Sequence, residues 1–353
     1  MTQRKKILFF LPGIVGGAER MTITIGKKLP KEEFDVRFVV VMNTLGDIMN
    51  FIPEEYPVIH IKINNIWNFG TIRMAYLMKK ERPYAVFSSM MYLNARIAIA
   101  AKIIGGIKVV IRNSNYMTTT RIDQYLLCRW FYPYADKIIS QQEEMADDII
   151  RTLHINPTKV ITLHNPLDTI TIDNSIANAQ NPYPNVKQTK YLWVGRISVN
   201  KGQDIAVKAF EKVHKHDISS HLYLVGKYNE QSEYYRNLLD LIDKLKLKDF
   251  VHLQGFDANP YRWMRYCDCF VLPSRIEGLP NTLLEAQYIG KPVAASRCIP
   301  IIERVIEEGV TGYTANSEDP DDLASAMLMA VRLGDIKSNY IGAKSEDFVK
   351  LFK

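Results

Sequence analysis

Cysteine is scarce: four residues in 353, Cys128, Cys267, Cys269 and Cys298, with no C-x-x-C spacing. That excludes a disulfide-built scaffold and a cysteine zinc knuckle, and it predicts reduced thiols in a cytoplasmic protein. Cys267 and Cys269 are expected to point the same way from one strand. Histidine offers no metal centre either. The seven histidines include no H-E-x-x-H, and His214-x-His216 is read as a solvated helix end, so metal ligands are expected to be none. Long apolar runs are missing. The greasiest stretch, 97–111, is interrupted by Lys102 and Lys108, short of the roughly 18 unbroken residues a spanning helix needs. Arg4-Lys5-Lys6 ahead of Ile7–Val15 and Gly16-Gly17-Ala18 imitates a secretory leader, but Pro12 splits the apolar stretch and leaves a short buried strand feeding a glycine turn. Repeats, low-complexity tracts and long basic runs are absent, so neither a solenoid nor nucleic-acid binding is expected.

What is present fits a soluble globular chain, with 47% hydrophobic and 24% charged residues and a formal net charge of +7. A positive balance suits anionic lipid, nucleic acid or a polyanionic substrate and does not choose among them. At this length two domains of ordinary size are expected. Strand-like runs at Ile7–Leu11, Val36–Val41, Ala85–Ser88, Lys108–Ile111 and Lys137–Ser140 alternate with helix-like segments in the first half. Tyr191–Val194, His221–Val225, Phe250–Leu253, Cys269–Leu272 and Pro292–Ala295 repeat the rhythm in the second. This alternation predicts an α/β chain with two doubly wound parallel sheets. Residues 174–188, rich in Asn, Pro and Gln, are read as a linker between domains at 1–173 and 189–335, with 336–353 as a C-terminal segment. Ligands in open parallel sheets lie beyond the carboxyl ends of strands, so two such domains facing each other would enclose a cleft lined by loops of both.

The most informative segment is 267–293, CDCFVLPSRIEGLPNTLLEAQYIGKPV, in which Glu277 and Glu285 stand astride a Gly-Leu-Pro-Asn turn that opens a helix. Pro280 is placed in the first helical turn, where a missing N–H costs nothing, and Thr282, Leu283 and Leu284 then offer free amides. Those donors and the positive helix end make a site for a phosphate or carboxylate, with Glu277 at its mouth and Glu285 within reach of a group attached to the anion, such as a ribose. Read without other context, Glu277 as a helix cap and Glu285 as an ordinary surface helix residue is the commoner explanation of such a pair. Arg196 and Lys201 follow a strand in a short loop, with Gly195 and Gly202 permitting tight turns, and two cations there neutralise a diphosphate.

The E-x7-E frame, the Glu-Gly-Leu-Pro-Asn turn, Leu284-Glu285-Ala286 and the exit Gly290-Lys291-Pro292-Val293 resemble the donor-binding segment of retaining glycosyltransferases of family 4. Gly16-Gly17-Ala18-Glu19, Val194-Gly195-Arg196 with Lys201-Gly202, and Leu224-Val225-Gly226 ahead of His252–Phe256 match in the same order. The resemblance implies a GT-B fold and transfer of a hexose or N-acetylhexosamine from a nucleotide sugar, UDP-linked by the family's habit, to a glycan or polyprenyl-diphosphate-linked glycan in cell-surface polysaccharide synthesis. It implies no cofactor beyond that co-substrate. Arg196, Lys201 and Glu277 become the catalytic candidates, with the cations meeting the donor phosphates and Glu277 the transferred sugar. Gly16, Gly17, Gly195, Phe256, Asn281, Thr282, Leu283 and Glu285 become donor-binding, although Phe256 is equally readable as a core aromatic.

Two departures from that family stand out. Asn113 occupies the place near the sugar where many relatives have histidine, and asparagine exchanges no proton near neutrality, so the leaving phosphate itself would deprotonate the acceptor. The chain ends at Lys353, where relatives carry a longer helix crossing back onto the first domain, so 336–353 is read as an abbreviated crossover. Both departures leave room for a catalytically weak scaffold subunit of a polysaccharide assembly complex, and the fold also serves nucleotide-sugar epimerases. Finally, Arg121, Arg129, Trp130, Phe131 and Tyr132 fall on a helix-like stretch that suits either an anionic membrane surface on the cytoplasmic face or packing within its own domain.

Overall fold

A computed structural model describes residues 3–13, 16–41, 46–63, 70–184, 187–338 and 342–353. It divides into two compact units, residues 1–166 with 342–353, and residues 167–341.

In the first unit the strands are β1 (Lys5–Leu11), β2 (Phe34–Val41), β3 (Val58–Ile61), β4 (Ala85–Ser88), β5 (Lys108–Asn113), β6 (Lys137–Ser140) and β7 (Val160–Thr162). They pair in parallel in the order β3-β2-β1-β4-β5-β6-β7. Ile7 through Leu11 are each wholly buried, because helices cover both faces and a parallel sheet then has no solvent side. Ile7, Phe9 and Leu11 join one core cluster while Leu8 and Phe10 join the other, as the two-residue period of a strand requires. β1 runs beside β2 from Lys5↔Phe34 and beside β4 from Ile7↔Ala85, so the winding direction reverses between β1 and β4.

The second unit repeats the plan with β8 (Thr189–Val194), β9 (Ser220–Val225), β10 (Val251–Gly255), β11 (Cys269–Leu272), β12 (Val293–Ser296) and β13 (Gly312–Ala315). Their order, β10-β9-β8-β11-β12-β13, puts the reversal between β8 and β11. Open sheets of this kind bind ligands beyond the strand ends at such a reversal.

Two expectations change. The division falls between Pro166 and Leu167, so 174–188 lies inside the second unit. Its polar composition had looked like a linker, but helix Thr169–Ala177 buries Ile172 and Tyr183 donates to the Trp263 carbonyl at 2.9 Å. Residues 342–353 return to the first unit, where helix Ser345–Phe352 buries Phe348, Leu351 and Phe352 against the Phe9 cluster. Cys267 and Cys269 do not share a strand face. Cys267 ends helix Tyr261–Tyr266 and packs in one core cluster, while Cys269 opens β11 and packs in the other.

Candidate functional site

The loops leaving β8 and β11 meet at the reversal of the second sheet. After β8 the chain makes a tight turn at Val199–Lys201, passes Gly202 and enters helix Gln203–His216. Gly202 has φ +65°, and a Cβ there would lie 2.0 Å from the Pro273 carbonyl oxygen, so only glycine lets the two loops touch. That contact brings Lys201 to Glu277, 76 positions later: the ammonium donates to both carboxylate oxygens, at 2.6 and 2.8 Å. Ser274 Oγ donates to Glu277 Oε1 at 2.7 Å. Glu277 is 8% exposed. The cation and the hydroxyl give this buried carboxylate the partners without which its burial would be costly. It caps no helix; the residue preceding helix Asn281–Ile289 is Pro280, which supplies no side-chain cap.

Arg196 is exposed, and its guanidinium has no partner among the described residues. Its carbonyl accepts from Gln203 Nε2 at 3.2 Å. Gly195 donates to the Val225 carbonyl at 2.9 Å, and Gly226 donates to the Gly255 carbonyl at 2.7 Å, stitching the ends of β8, β9 and β10. Phe256 follows that seam and is 56% exposed, with the Lys227 ammonium 4.7 Å from its ring centre, so it is no core aromatic.

Of the three amides expected to be free, two are taken. Leu283 donates to the Pro280 carbonyl at 3.0 Å and Leu284 to the same oxygen at 3.2 Å. Because Pro280 precedes the helix instead of opening it, its carbonyl is the first helical acceptor, and Thr282 keeps the orphan amide. Leu283 itself is wholly buried, Asn281 and Thr282 are half-buried at the helix start, and Glu285 is half-buried one turn further on.

Sequence reading missed the support around this pair. Arg275 grips Asp204 through two parallel bonds of 2.8 Å, and Tyr234 Oη donates to Asp204 at 2.7 Å. Burial alone would raise the Asp204 pKa, but those donors outweigh it and hold the carboxyl below the usual range. Arg275 and Ser274 stand in the same segment as Glu277, so their nearness in sequence was the available signal.

In the first unit, Gly16 precedes helix Gly17–Lys28 with extended backbone, and a Cβ on it would lie 2.7 Å from the Glu19 carboxylate. Gly17 has open space around it. Asn113, at the end of β5, is 1% exposed; its amide donates to the Asn115 carbonyl and its oxygen accepts from Tyr132 Oη at 3.3 Å. Arg112 beside it is buried and bonded to Asn165, and burial lowers its pKa to about 9.

Comparison with known proteins gives this geometry its setting. Residues 15–170 match the family described as Glycosyltransferase Family 4, and residues 188–332 match Glycosyl transferases group 1. The chain is built of glycosyltransferase domains. It is 31% identical to uncharacterized glycosyltransferase MJ1059 of Methanocaldococcus jannaschii over 179 residues, which is 49% of this chain and 42% of that one. A Campylobacter jejuni protein, N-acetylgalactosamine-N,N'-diacetylbacillosaminyl-diphospho-undecaprenol 4-alpha-N-acetylgalactosaminyltransferase, is 27% identical over 289 residues, covering 77% of this glycosyltransferase chain and 74% of its own. The crystal structure of Anabaena Alr3699/HepE in complex with UDP and glucose superposes with a TM-score of 0.76 at 20% identity, over 94% of this chain and 93% of that one. The fold is GT-B, two parallel-sheet α/β domains.

Proposed function

We propose that this glycosyltransferase transfers a hexose or N-acetylhexosamine from a UDP-sugar, with retention and without a metal, to a lipid-linked glycan acceptor in cell-surface polysaccharide synthesis. The observation that carries the reading is the Lys201–Glu277 pair at the β8/β11 reversal, with Arg196 in the same loop unpaired among the described residues. Departure of UDP builds negative charge on its diphosphate, and cations held at that loop stabilise the charge more in the transition state than in the ground state. Lys201 has three donors, and Glu277 holds it in place while one remains for a phosphate oxygen. Glu277 then faces the sugar hydroxyls and Glu285 the ribose, with the Thr282 amide near the phosphates. In the first unit Asn113 is buried and bonded to Tyr132 and Asn115, and an asparagine takes no proton, so in this reading the departing phosphate is the base. The Campylobacter relative's diphospho-undecaprenol acceptor and the UDP bound to HepE support the choice of partners.

The test is thermal denaturation of the chelator-treated protein with UDP, GDP, ADP and their sugar conjugates. UDP and one UDP-sugar are expected to stabilise the wild type, by about 2.7 kcal/mol at a hundred times the dissociation constant, and not Lys201→Ala. Stabilisation by none of them would defeat the reading, and product of inverted configuration in an NMR assay would defeat the retaining step.

The acceptor also sets the location. Among the described residues no helix is long and apolar enough to cross a membrane. Helix Ile122–Phe131 instead exposes Ile122 (71%), Leu126 (47%) and Trp130 (70%) at four-residue spacing, with Arg121 and Arg129 alongside. A stripe of this kind lies in a headgroup layer. Sedimentation with vesicles is expected to rise with anionic lipid content and to fall in Trp130→Ser; binding indifferent to both would refute peripheral attachment.

A further inference from the structure

Arg275 sits two residues before Glu277 and ties together three loops that leave the carboxyl ends of the second sheet. Its guanidinium donates to the Val199 carbonyl at 2.8 Å, to both oxygens of Asp204 at 2.8 Å, and to Glu318 at 2.5 Å. Its amide and that of Ile276 both donate to the Asn200 carbonyl, at 2.8 and 3.2 Å. The loop after β8 is therefore bound on each side of Lys201, by the Arg275 segment at Val199 and Asn200 and by Asp204 just inside the following helix. Behind it, Tyr234 Oη bridges Asp204 and Gln203 at 2.7 and 3.1 Å, and Gln203 holds the Arg196 carbonyl. Glu318, between β13 and helix Pro320–Ala330, adopts φ +64°, a left-handed conformation uncommon for glutamate, with its carboxylate on Arg275.

A forked guanidinium sharing its donors among a carbonyl and two carboxylates fixes direction as well as distance. Its side chain is 21% exposed, as is that of Asp204, so solvent competes weakly for these bonds. We propose that Arg275 is the positioning residue of the site: it locks the Arg196–Lys201 loop onto the Glu277 loop, so that both cations are already placed when the diphosphate arrives. The inference rests on the glycosyl-transfer reading. It adds that the order of this loop is set by Arg275 and Asp204, neither of which touches substrate.

The experiment pairs hydrogen exchange with kinetics on the full chain. In Arg275→Met, exchange of the 196–202 amides is expected to rise about tenfold over wild type, with the strands of the same sheet unchanged. Asp204→Asn should do the same and the double variant no more, since the two residues act as one unit. UDP release from the UDP-sugar that stabilises the wild type should fall about tenfold or more in kcat, with KM within about threefold, because placement of the cations matters most as charge develops. Arg275→Lys, which keeps charge and loses the fork, should recover only a minor part. Should Arg275→Met fail to fold, Asp204→Asn carries the same test. Unchanged exchange in 196–202, or a kcat within about twofold of wild type despite increased exchange, would overturn the proposal. Exchange needs no substrate, so a wild type that releases no UDP defeats the transfer reading and leaves the clamp to be judged on exchange alone.

Discussion

Lys201 and Arg196 belong to one loop yet occupy opposite electrostatic situations, and substitution should separate them. Lys201 neutralises a carboxylate that is 8% exposed, so removing it strands Glu277 as a buried charge. Arg196 is exposed, with no partner to strand among the described residues. Each change to alanine is expected to raise the barrier by roughly 3 kcal/mol, about a hundredfold in turnover, if both cations meet the leaving diphosphate. Only Lys201→Ala should also lower the melting temperature, and Glu277→Gln added to it should restore part of that loss. Turnover within about threefold of wild type for either single variant would remove that residue from the mechanism. The residue types were readable in sequence because a Glu-Gly-Leu-Pro-Asn turn and a Gly-Arg loop each advertise anion chemistry locally. Their direct bond was not, since two positions 76 apart meet only once β8 and β11 are known to be neighbours. The pairing also changes the chemistry, for among the described residues the site holds a neutralised pair and one unpaired cation in place of the two free cations expected.

At the scale of elements, the edge of the second sheet carries a histidine pair that should govern acid stability. His221 of β9 and His252 of β10 stack with ring centres 5.1 Å apart and share a hydrogen bond of 2.8 Å between Nδ1 and Nε2. Burial lowers both pKa values, and for His221 the neighbouring His252 and His214 lower it further, against Asp217; Asp249 opposes the shift at His252. The folded chain thus resists a proton that the unfolded chain accepts near pH 6.5. Stability is whole above that pH and declines as pH falls from it toward the lowered folded values. The melting temperature is expected to drop between pH 7.5 and 5.5, and to drop less in a His221→Gln, His252→Gln double variant; equal drops would show that the pair is not the cause. The same edges explain which strands could be read. Expected strands such as Ala85–Ser88 and Cys269–Leu272 are central, buried on both faces, and appear as unbroken apolar runs. β3, β7 and β13 escaped notice: each is an edge strand of three or four residues, partly exposed, whose sequence shows no such run. The helix at Asn281 was legible from its turn, but its start lay one residue later than the proline suggested, and that single step decided which amides were left over.

For the whole molecule, the informative feature is that the first unit is made from two separate stretches of chain. Composition announced two domains, since alternating strand and helix runs occur twice, but it misplaced the boundary by reading polar residues at 174–188 as a linker; the tyrosine in that stretch, Tyr183, is buried and packs edge-on to Tyr223 at 4.6 Å. The closing residues were equally hard to place, because an eight-residue amphipathic helix does not state which core it joins. Its aromatic side chain answers that. Phe352 is wholly buried, with ring centres 6.1 Å from Phe9, 6.4 Å from Phe34 and 6.2 Å from Phe87, three strands of the first sheet. Truncating it empties the middle of that cluster, and a buried Phe→Ala change costs about 3–5 kcal/mol. Because cores of separate units unfold with some independence, the loss should be local. Phe352→Ala is therefore expected to speed hydrogen exchange in β1, β2 and β4 and leave β8, β9 and β11 as in wild type, while the conservative Phe352→Leu does much less. Equal acceleration in both sheets would mean that the two units unfold as one, and no acceleration in either would mean that the last helix is not part of the first core.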